Sequence, residues 1–200
     1  MSKTGKVFVE VKKERQMIMY SELWHASDCV LEKARQNPEG SSWQFLSSIL
    51  LTAFAFEAYQ NHIGPCLFAH WEHLDRLSPL AKFDLIIDRL EISVPNAKGG
   101  RPWQTLSELF KFRNTIAHGR SKSLEKSDTK TTDAYLDGFH DELLDDWELR
   151  IRSDEFALRC REDVEALLRI IHKQLPGEPE RLFAFGSGFH SATVKPGSPR

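Results

Sequence analysis

The sequence predicts an all-α fold, a bundle of antiparallel helices followed by a flexible C-terminal tail. Apolar residues recur at spacings of three and four along most segments between positions 14 and 175, which is the period of an amphipathic helix. Breaks that contain proline and glycine, such as Asn37-Pro38-Glu39-Gly40, separate these segments. An alternation typical of a strand occurs at Val7, Val9 and Val11. We therefore expect helices packed against one another around one core.

The 200-residue length predicts a single domain with two appendages. Residues 1–13 are expected to form an N-terminal arm or a short strand, because apolar and polar residues alternate there. Residues 14–175 are expected to form the helical domain. Residues 176–200 contain several glycines and prolines and no helical period, so we expect them to be disordered.

Cap residues predict where several helices begin. Ser41 and Ser42 are candidate N-caps, Ser78 precedes Pro79 at a helix start, and Ser153 precedes the last apolar period. Gly64-Pro65 is expected to stop the second helix near His62. The expected helices span about residues 14–36, 42–62, 66–77, 79–90, 102–118 and 153–174, with a helix or partial strand within 133–151 and loops at 96–100 and 120–132.

Composition excludes several classes of protein. A formal net charge of −2 argues against binding nucleic acid by bulk electrostatics, so any RNA contact has to come from a local basic patch. The three cysteines are far apart and lack a CxxC motif, which is typical of free thiols in a reducing cytoplasm. The longest apolar run, residues 49–56, is too short to cross a bilayer, and the first residues lack the apolar segment of a secretion signal. We expect a soluble, cytoplasmic protein.

We expect no cofactor and no metal. The sequence has no P-loop, GxGxxG, GxSxG or HExxH motif. His70 and His73 are three residues apart, with Asp75 close by, a spacing that could hold a metal ion. No further ligand is spaced to complete that set, so an exposed helix is the preferred interpretation.

The segment Arg113-Asn114-Thr115-Ile116-Ala117-His118-Gly119 is the main candidate site. On a helix from Trp103 to His118, Arg113 shares a stripe with Leu106 and Phe110 and therefore faces the core. A buried guanidinium requires an anionic partner. Glu57 lies on the apolar stripe of the second helix, and Asn61 follows one turn later. We expect Glu57 to pair with Arg113 and Asn61 to support the site.

Asn114 and His118 lie on a separate, polar stripe of the same helix, four residues apart. On an ideal helix, His118 is about 140° from Arg113. The negative end of the helix dipole favours a protonated imidazole there. A purely structural interpretation stays open at this point, with Arg113 and Glu57 as a buried pair and His118 as a C-cap.

Lys111, Arg120 and Lys122 make the surroundings of the motif locally basic and are candidate contacts for an RNA backbone. A solvated loop is the alternative explanation. Residues 133–148 carry seven acidic side chains and no basic one. Such a stretch would repel RNA, or it could be a solvent face or a docking surface for a basic partner.

The Arg-x4-His pattern of Arg113, Asn114 and His118 resembles the signature of HEPN domains (higher eukaryotes and prokaryotes nucleotide-binding). The acidic segment around Glu57 is similar to the helix that precedes the motif helix in that family. The resemblance covers most of residues 14–174 and implies a metal-independent endoribonuclease. The 2′-hydroxyl of the RNA would attack the adjacent phosphate and leave 2′,3′-cyclic phosphate ends. His118 would be the acid or base, or would help to stabilise the charged transition state, and Arg113 would neutralise the developing phosphorane. Asn114 would orient the phosphate or His118, and Glu57 would hold Arg113 in place.

The same resemblance implies a homodimer with two motifs across the interface, and a role as a toxin or in defence against phage. A cognate antitoxin would then be a partner. The alternative is a HEPN module without catalytic activity that binds nucleotides or other proteins, for example as the partner of a nucleotidyltransferase. No membrane association is expected.

Overall fold

Seven helices and one two-stranded sheet make up the described part of the chain. The computed structural model describes residues 8–93, 99–127, 131–132, 143–177 and 179–194. The protein is mostly helical, with the sheet as a small addition. The elements are β1 (Val9–Arg15), α1 (Met19–Gln36), α2 (Ser42–Leu67), α3 (Trp71–Leu74), α4 (Pro79–Arg89), α5 (Trp103–Ala117), α6 (Asp146–Arg150), α7 (Glu155–Lys173) and β2 (Gly188–Val194).

Helix α2 is the centre of the helical body, and α1, α4, α5 and α7 all pack against it. It is apolar on most of its circumference, which is typical of a helix surrounded by others. Phe45, Ile49, Phe56 and Tyr59 are buried on successive turns. The aromatic ring of Phe56 lies 5.8 Å from that of Phe110 on α5. The core therefore fixes the position of α5 relative to α2.

A polar seam joins α1 to α2. The Ser27 hydroxyl lies 3.1 Å from the Ser48 hydroxyl and 2.8 Å from the Thr52 hydroxyl, and it donates to the Ser48 carbonyl. All three residues are fully buried. Their hydrogen bonds satisfy one another, so small polar groups are accommodated where the two helices approach closely.

Helix α2 does not stop at Gly64-Pro65 as the sequence predicted. It continues to Leu67, with Pro65 inside the last turn. A proline this close to a helix end removes only one backbone hydrogen bond. Gly64 is required there, because a Cβ atom at this position would lie 2.2 Å from the ring of Trp71. The helix expected at 66–77 is correspondingly reduced to Trp71–Leu74.

The other helix boundaries agree more closely with those predicted from the sequence. The Ser78 hydroxyl accepts a hydrogen bond from the Ala81 N–H at the start of α4, and Pro79 is its first residue. Helix α5 begins directly after Pro102. The last helix begins at Glu155 and has Asp154, not Ser153, as its N-cap residue.

The two ends of the described chain form an antiparallel ribbon, so the fold is not purely helical. Strand β1 pairs with β2 from Val9 opposite Val194 to Arg15 opposite Gly188. The N-terminal arm or strand is thus a strand over 9–15, and part of the tail expected to be disordered over 176–200 is strand β2. The sequence does not reveal this pairing locally, because each strand lacks a partner close to it in the chain.

The segment before β2 attaches the ribbon to the helices. The ring of Phe183 stacks on Trp24 of α1 with 4.7 Å between centroids, and the Gln16 N–H donates to the Ser187 carbonyl at 2.8 Å. A Cβ atom at position 186 would lie 1.9 Å from the Gln16 carbonyl oxygen. Gly186 therefore permits a backbone approach that no other residue allows.

Some expectations fall partly outside the described residues. These are residues 1–7 of the N-terminal arm, residues 96–98 of the loop at 96–100, residues 128–130 of the loop at 120–132, residues 133–142 of the helix or strand at 133–151, and residues 178 and 195–200 of the tail. Within 133–151, α6 covers 146–150 and starts with a capping box formed by Asp145 and Glu148. Within the described ranges, no helix is both long enough and apolar enough to cross a membrane.

Candidate functional site

The structure brings Glu57 and Arg113 together, one from α2 and one from α5. The Nη2 atom of Arg113 donates to the Oε2 atom of Glu57 at 2.6 Å. The side chain of Arg113 is 18% exposed and that of Glu57 is 27% exposed. Both residues lie where an apolar stripe reaches the surface, so their charges are partly shielded from water. This partial burial makes the pair stronger than an ordinary surface ion pair.

A third charged residue, Lys82 of α4, completes the cluster and was missed by the sequence analysis. Its side chain is fully buried. Its Nζ atom donates to Oε1 of Glu57 at 3.3 Å, to Oδ1 of Asn61 at 2.9 Å and to the Asp75 carbonyl at 3.3 Å. Three acceptors compensate for the lost hydration of the ammonium group. Asn61 thus supports the site through Lys82.

The signal for Lys82 was present in the sequence. Pro79, Phe83 and Ile86 are buried along α4, and Lys82 lies on the same face. A charged residue on an apolar stripe is the same signal that identified Glu57. We call Glu57, Lys82 and Arg113 the charge cluster. With one carboxylate and two cations, it carries a formal net charge of +1.

Asn114 stands directly beside the arginine. The Nη1 atom of Arg113 donates to its Oδ1 atom at 2.9 Å. The guanidinium also lies 5.7 Å from the centroid of the Phe110 ring, a distance compatible with a cation–π contact. The Nε atom of Arg113 is buried and has no hydrogen-bond partner within the described residues. The guanidinium is therefore held in one orientation at the surface end of α5.

His118 lies at the C-terminus of α5 as its C-cap residue, with its backbone N–H donating to the Asn114 carbonyl. Its side chain is exposed. The stripe expected from Trp103 to Ala117 is buried at Leu106 and Phe110 but not at Ala117, which is exposed. The end of α5 therefore emerges from the core after Arg113, and the imidazole is accessible to a ligand in solution.

The predicted basic contacts differ in their surroundings. Lys111 and Arg120 are exposed. Lys122 pairs with Asp145, with 2.6 Å between Nζ and Oδ2. This hydrogen bond from Lys122 lowers the pKa of the Asp145 carboxyl below its usual value. Lys122 thus connects the polar loop to the start of α6 and is less available for RNA than the other two.

The histidine pair considered as a metal site lies on the exposed surface beside Glu72. His70 and His73 both flank the carboxylate of Glu72, at 3.7 and 3.9 Å, and all three side chains are exposed. The backbone carbonyl of Asp75 belongs to the charge cluster through Lys82. In the ranges that the structure describes, no three His, Cys, Asp or Glu side chains lie close enough to hold a metal ion.

The arrangement can bind an anion and move a proton. Arg113 supplies a fixed cation, Asn114 an amide, and His118 an exposed imidazole, a group that can both accept and donate a proton. Comparison with known proteins gave no match to a family model, a curated protein or a solved structure.

Proposed function

We propose that this protein is a metal-independent endoribonuclease of the HEPN type, with a HEPN-like helical bundle as its fold. The observation that supports this most is the arginine held by Glu57 at the end of α5, next to Asn114 and five residues before an exposed histidine. A fixed cation beside a proton-transfer group is what phosphodiester cleavage by an internal nucleophile requires.

The reaction would proceed by transesterification. The 2′-hydroxyl loses its proton to a base and attacks the adjacent phosphorus, and the 5′-oxygen leaves with a proton from an acid. Arg113 would stabilise the added negative charge on the phosphorane, and Asn114 would orient a non-bridging oxygen. His118 would take one of the two proton-transfer roles. In a homodimer, the second role would fall to His118 of the other copy.

The test is cleavage of end-labelled RNA in excess EDTA. We expect the wild type to produce 2′,3′-cyclic phosphate ends, and His118→Ala and Arg113→Ala to lose activity by at least about 100-fold, the usual contribution of one acid or base or of one group that stabilises transition-state charge. His73→Ala is the matched control, because His73, like His118, is exposed. An RNA whose only cleavable linkage carries a 2′-deoxy sugar should remain intact. Cleavage of that RNA, or full activity in His118→Ala, would contradict the mechanism.

A second candidate function is a HEPN module without catalytic activity. It is favoured by one observation: both Nη nitrogens of Arg113 already donate hydrogen bonds within the chain. In that case Arg113 is structural, and the protein binds a nucleotide or a nucleotidyltransferase. Wild-type protein that leaves every RNA intact but binds a nucleotide, measured by calorimetry, would favour this candidate.

The cellular role proposed for the ribonuclease is that of a cytoplasmic toxin or a defence effector controlled by an antitoxin. Expression of the wild type should then slow growth, while expression of His118→Ala should not. Equal growth of the two strains at equal protein levels would count against this role.

A further inference from the structure

The two strands of the ribbon differ in how they protect their outer edges. Five of the seven residues of β1 (VEVKKER) are charged, whereas β2 (GFHSATV) contains no Asp, Glu, Lys or Arg. In the described part of the chain the sheet has only these two strands, so each has one unpaired edge. Charged side chains on an edge strand oppose pairing with another chain. The edge of β1 is protected in this way and the edge of β2 is not.

The side chains of β2 are also suited to a larger sheet. Phe189 and Val194 are 60% and 59% exposed, and Thr193 is likewise exposed. Aromatic and β-branched residues of this kind are enriched in β-strands, where they pack against cross-strand neighbours. A two-stranded ribbon alone is marginally stable in water, whereas additional strands stabilise it.

We propose that a second copy of this chain pairs with the free edge of β2, giving a four-stranded sheet in the order β1-β2-β2-β1. The strands would run antiparallel about a two-fold axis at Ser191. Phe189 would then lie opposite the partner's Thr193, and His190 opposite the partner's Ala192. An aromatic residue opposite a β-branched one is a favourable cross-strand pair. No carboxylate, ammonium or guanidinium faces a like charge in this register.

Two physical arguments select this pairing over the alternatives. If the β1 strands of two copies paired instead, about a two-fold axis at Lys12, Lys12 would lie opposite the partner's Lys12 and Glu10 opposite the partner's Glu14. Like charges directly opposite each other are unfavourable. If β1 of one copy paired with β2 of the next, every added copy would present another free edge, and the assembly would grow without limit. Pairing β2 with β2 buries the same edge in both copies and closes at two.

This inference does not depend on the proposed catalytic activity. Its test is the mass of the full-length protein by light scattering over a range of concentrations. We expect the wild type to dimerise and Ser191→Glu, which opposes two carboxylates at the axis but faces Lys12 within its own ribbon, to raise the dissociation constant at least about tenfold. Val11→Glu is the matched control, because it adds the same charge to β1 and should leave the dimer intact. Unchanged helical circular dichroism would show that the helical body of each variant remains folded.

Cross-linking provides a second measurement that does not depend on weakening the dimer. Ser191→Cys, in a background with Cys29→Ser and Cys66→Ser, should form a covalent dimer with a short bis-maleimide. Lys12→Cys in the same background should not, because the two β1 strands lie at opposite edges of the proposed sheet. Three results would overturn the proposal: a monomeric wild type, a dimer that Ser191→Glu leaves unaffected, or efficient cross-linking through position 12 but not 191.

Discussion

Replacing Glu57 by glutamine tests whether the charge cluster holds α2, α4 and α5 together. The substitution keeps the size of the side chain but removes the only negative charge of the cluster. Lys82, which is fully buried, and Arg113, which is 18% exposed, then face each other without it. A glutamine offers one acceptor oxygen where the carboxylate offers two, so one of the two cations also loses a hydrogen bond.

The expected cost follows from burial. Removing one partner of a fully buried ion pair costs about 3–5 kcal/mol. Glu57 is 27% exposed, so water reaches part of the site, and we expect a loss of about 2–4 kcal/mol for Glu57→Gln. For a chain of this length this corresponds to a decrease of roughly 4–16 °C in the melting temperature.

Lys82→Met should be less damaging than Glu57→Gln. Methionine fills the same apolar space, and Glu57 keeps Arg113 as its partner, so we expect a loss of about 0–2 kcal/mol. The free energy of unfolding is measured by urea denaturation at pH 7 with far-ultraviolet circular dichroism. The matched control is Glu165→Gln, which removes a carboxylate from an exposed pair with Arg169 and should cost at most about 0.5 kcal/mol. The reasoning is refuted if Glu57→Gln is as mild as this control, or if Lys82→Met is the more destabilising of the two.

Three further predictions concern packing and buried acids. Gly64→Ala should lower the free energy of unfolding by about 1–3 kcal/mol because its Cβ would overlap an indole ring, whereas Gly99→Ala, which meets no atom, should be near neutral in the same urea titration. Burial raises the pKa of the Cys160 thiol, so a thiol reagent at pH 8 should modify the two exposed cysteines and reach Cys160 only in denaturant; modification of all three at one rate would contradict this. Burial also raises the pKa of the Tyr59 phenol. The Cys160 thiol and the Tyr59 phenol therefore ionise at a lower pH in the unfolded chain than in the folded protein. Stability should fall as the pH rises above about 8.5 and again near 10, and Cys160→Ala should flatten the first decline.

Local patterns in the sequence were sufficient to predict most helices of the helical body. The spacing of apolar residues placed Glu57 and Arg113 on buried faces, and the need to pair a buried charge predicted the ion pair that the structure shows. The same reasoning could have included Lys82, whose position on the buried face of α4 is equally visible. Lys82 was not predicted because a single carboxylate, Glu57, already meets the requirement of a buried Arg113 for an anionic partner.

The remaining differences come from contacts between distant parts of the chain. Strand β2 has glycines before it and no apolar period of its own, so nothing within the segment predicts a strand; its order depends on β1 at the other end. Helix α2 passes through Pro65 because Gly64 packs against Trp71, a residue of the next helix. Sequence patterns report local preference, and here tertiary contacts decide the outcome.

The pairing of β1 with β2 also determines the order of folding. The ribbon joins residues at opposite ends of the described chain, so forming it early would mean closing a loop of almost all the residues between them, at a high cost in chain entropy. The contacts between α1 and α2 are much closer in sequence and can form first. The helical body should therefore assemble before the ribbon, and during synthesis β1 leaves the ribosome long before its partner strand exists.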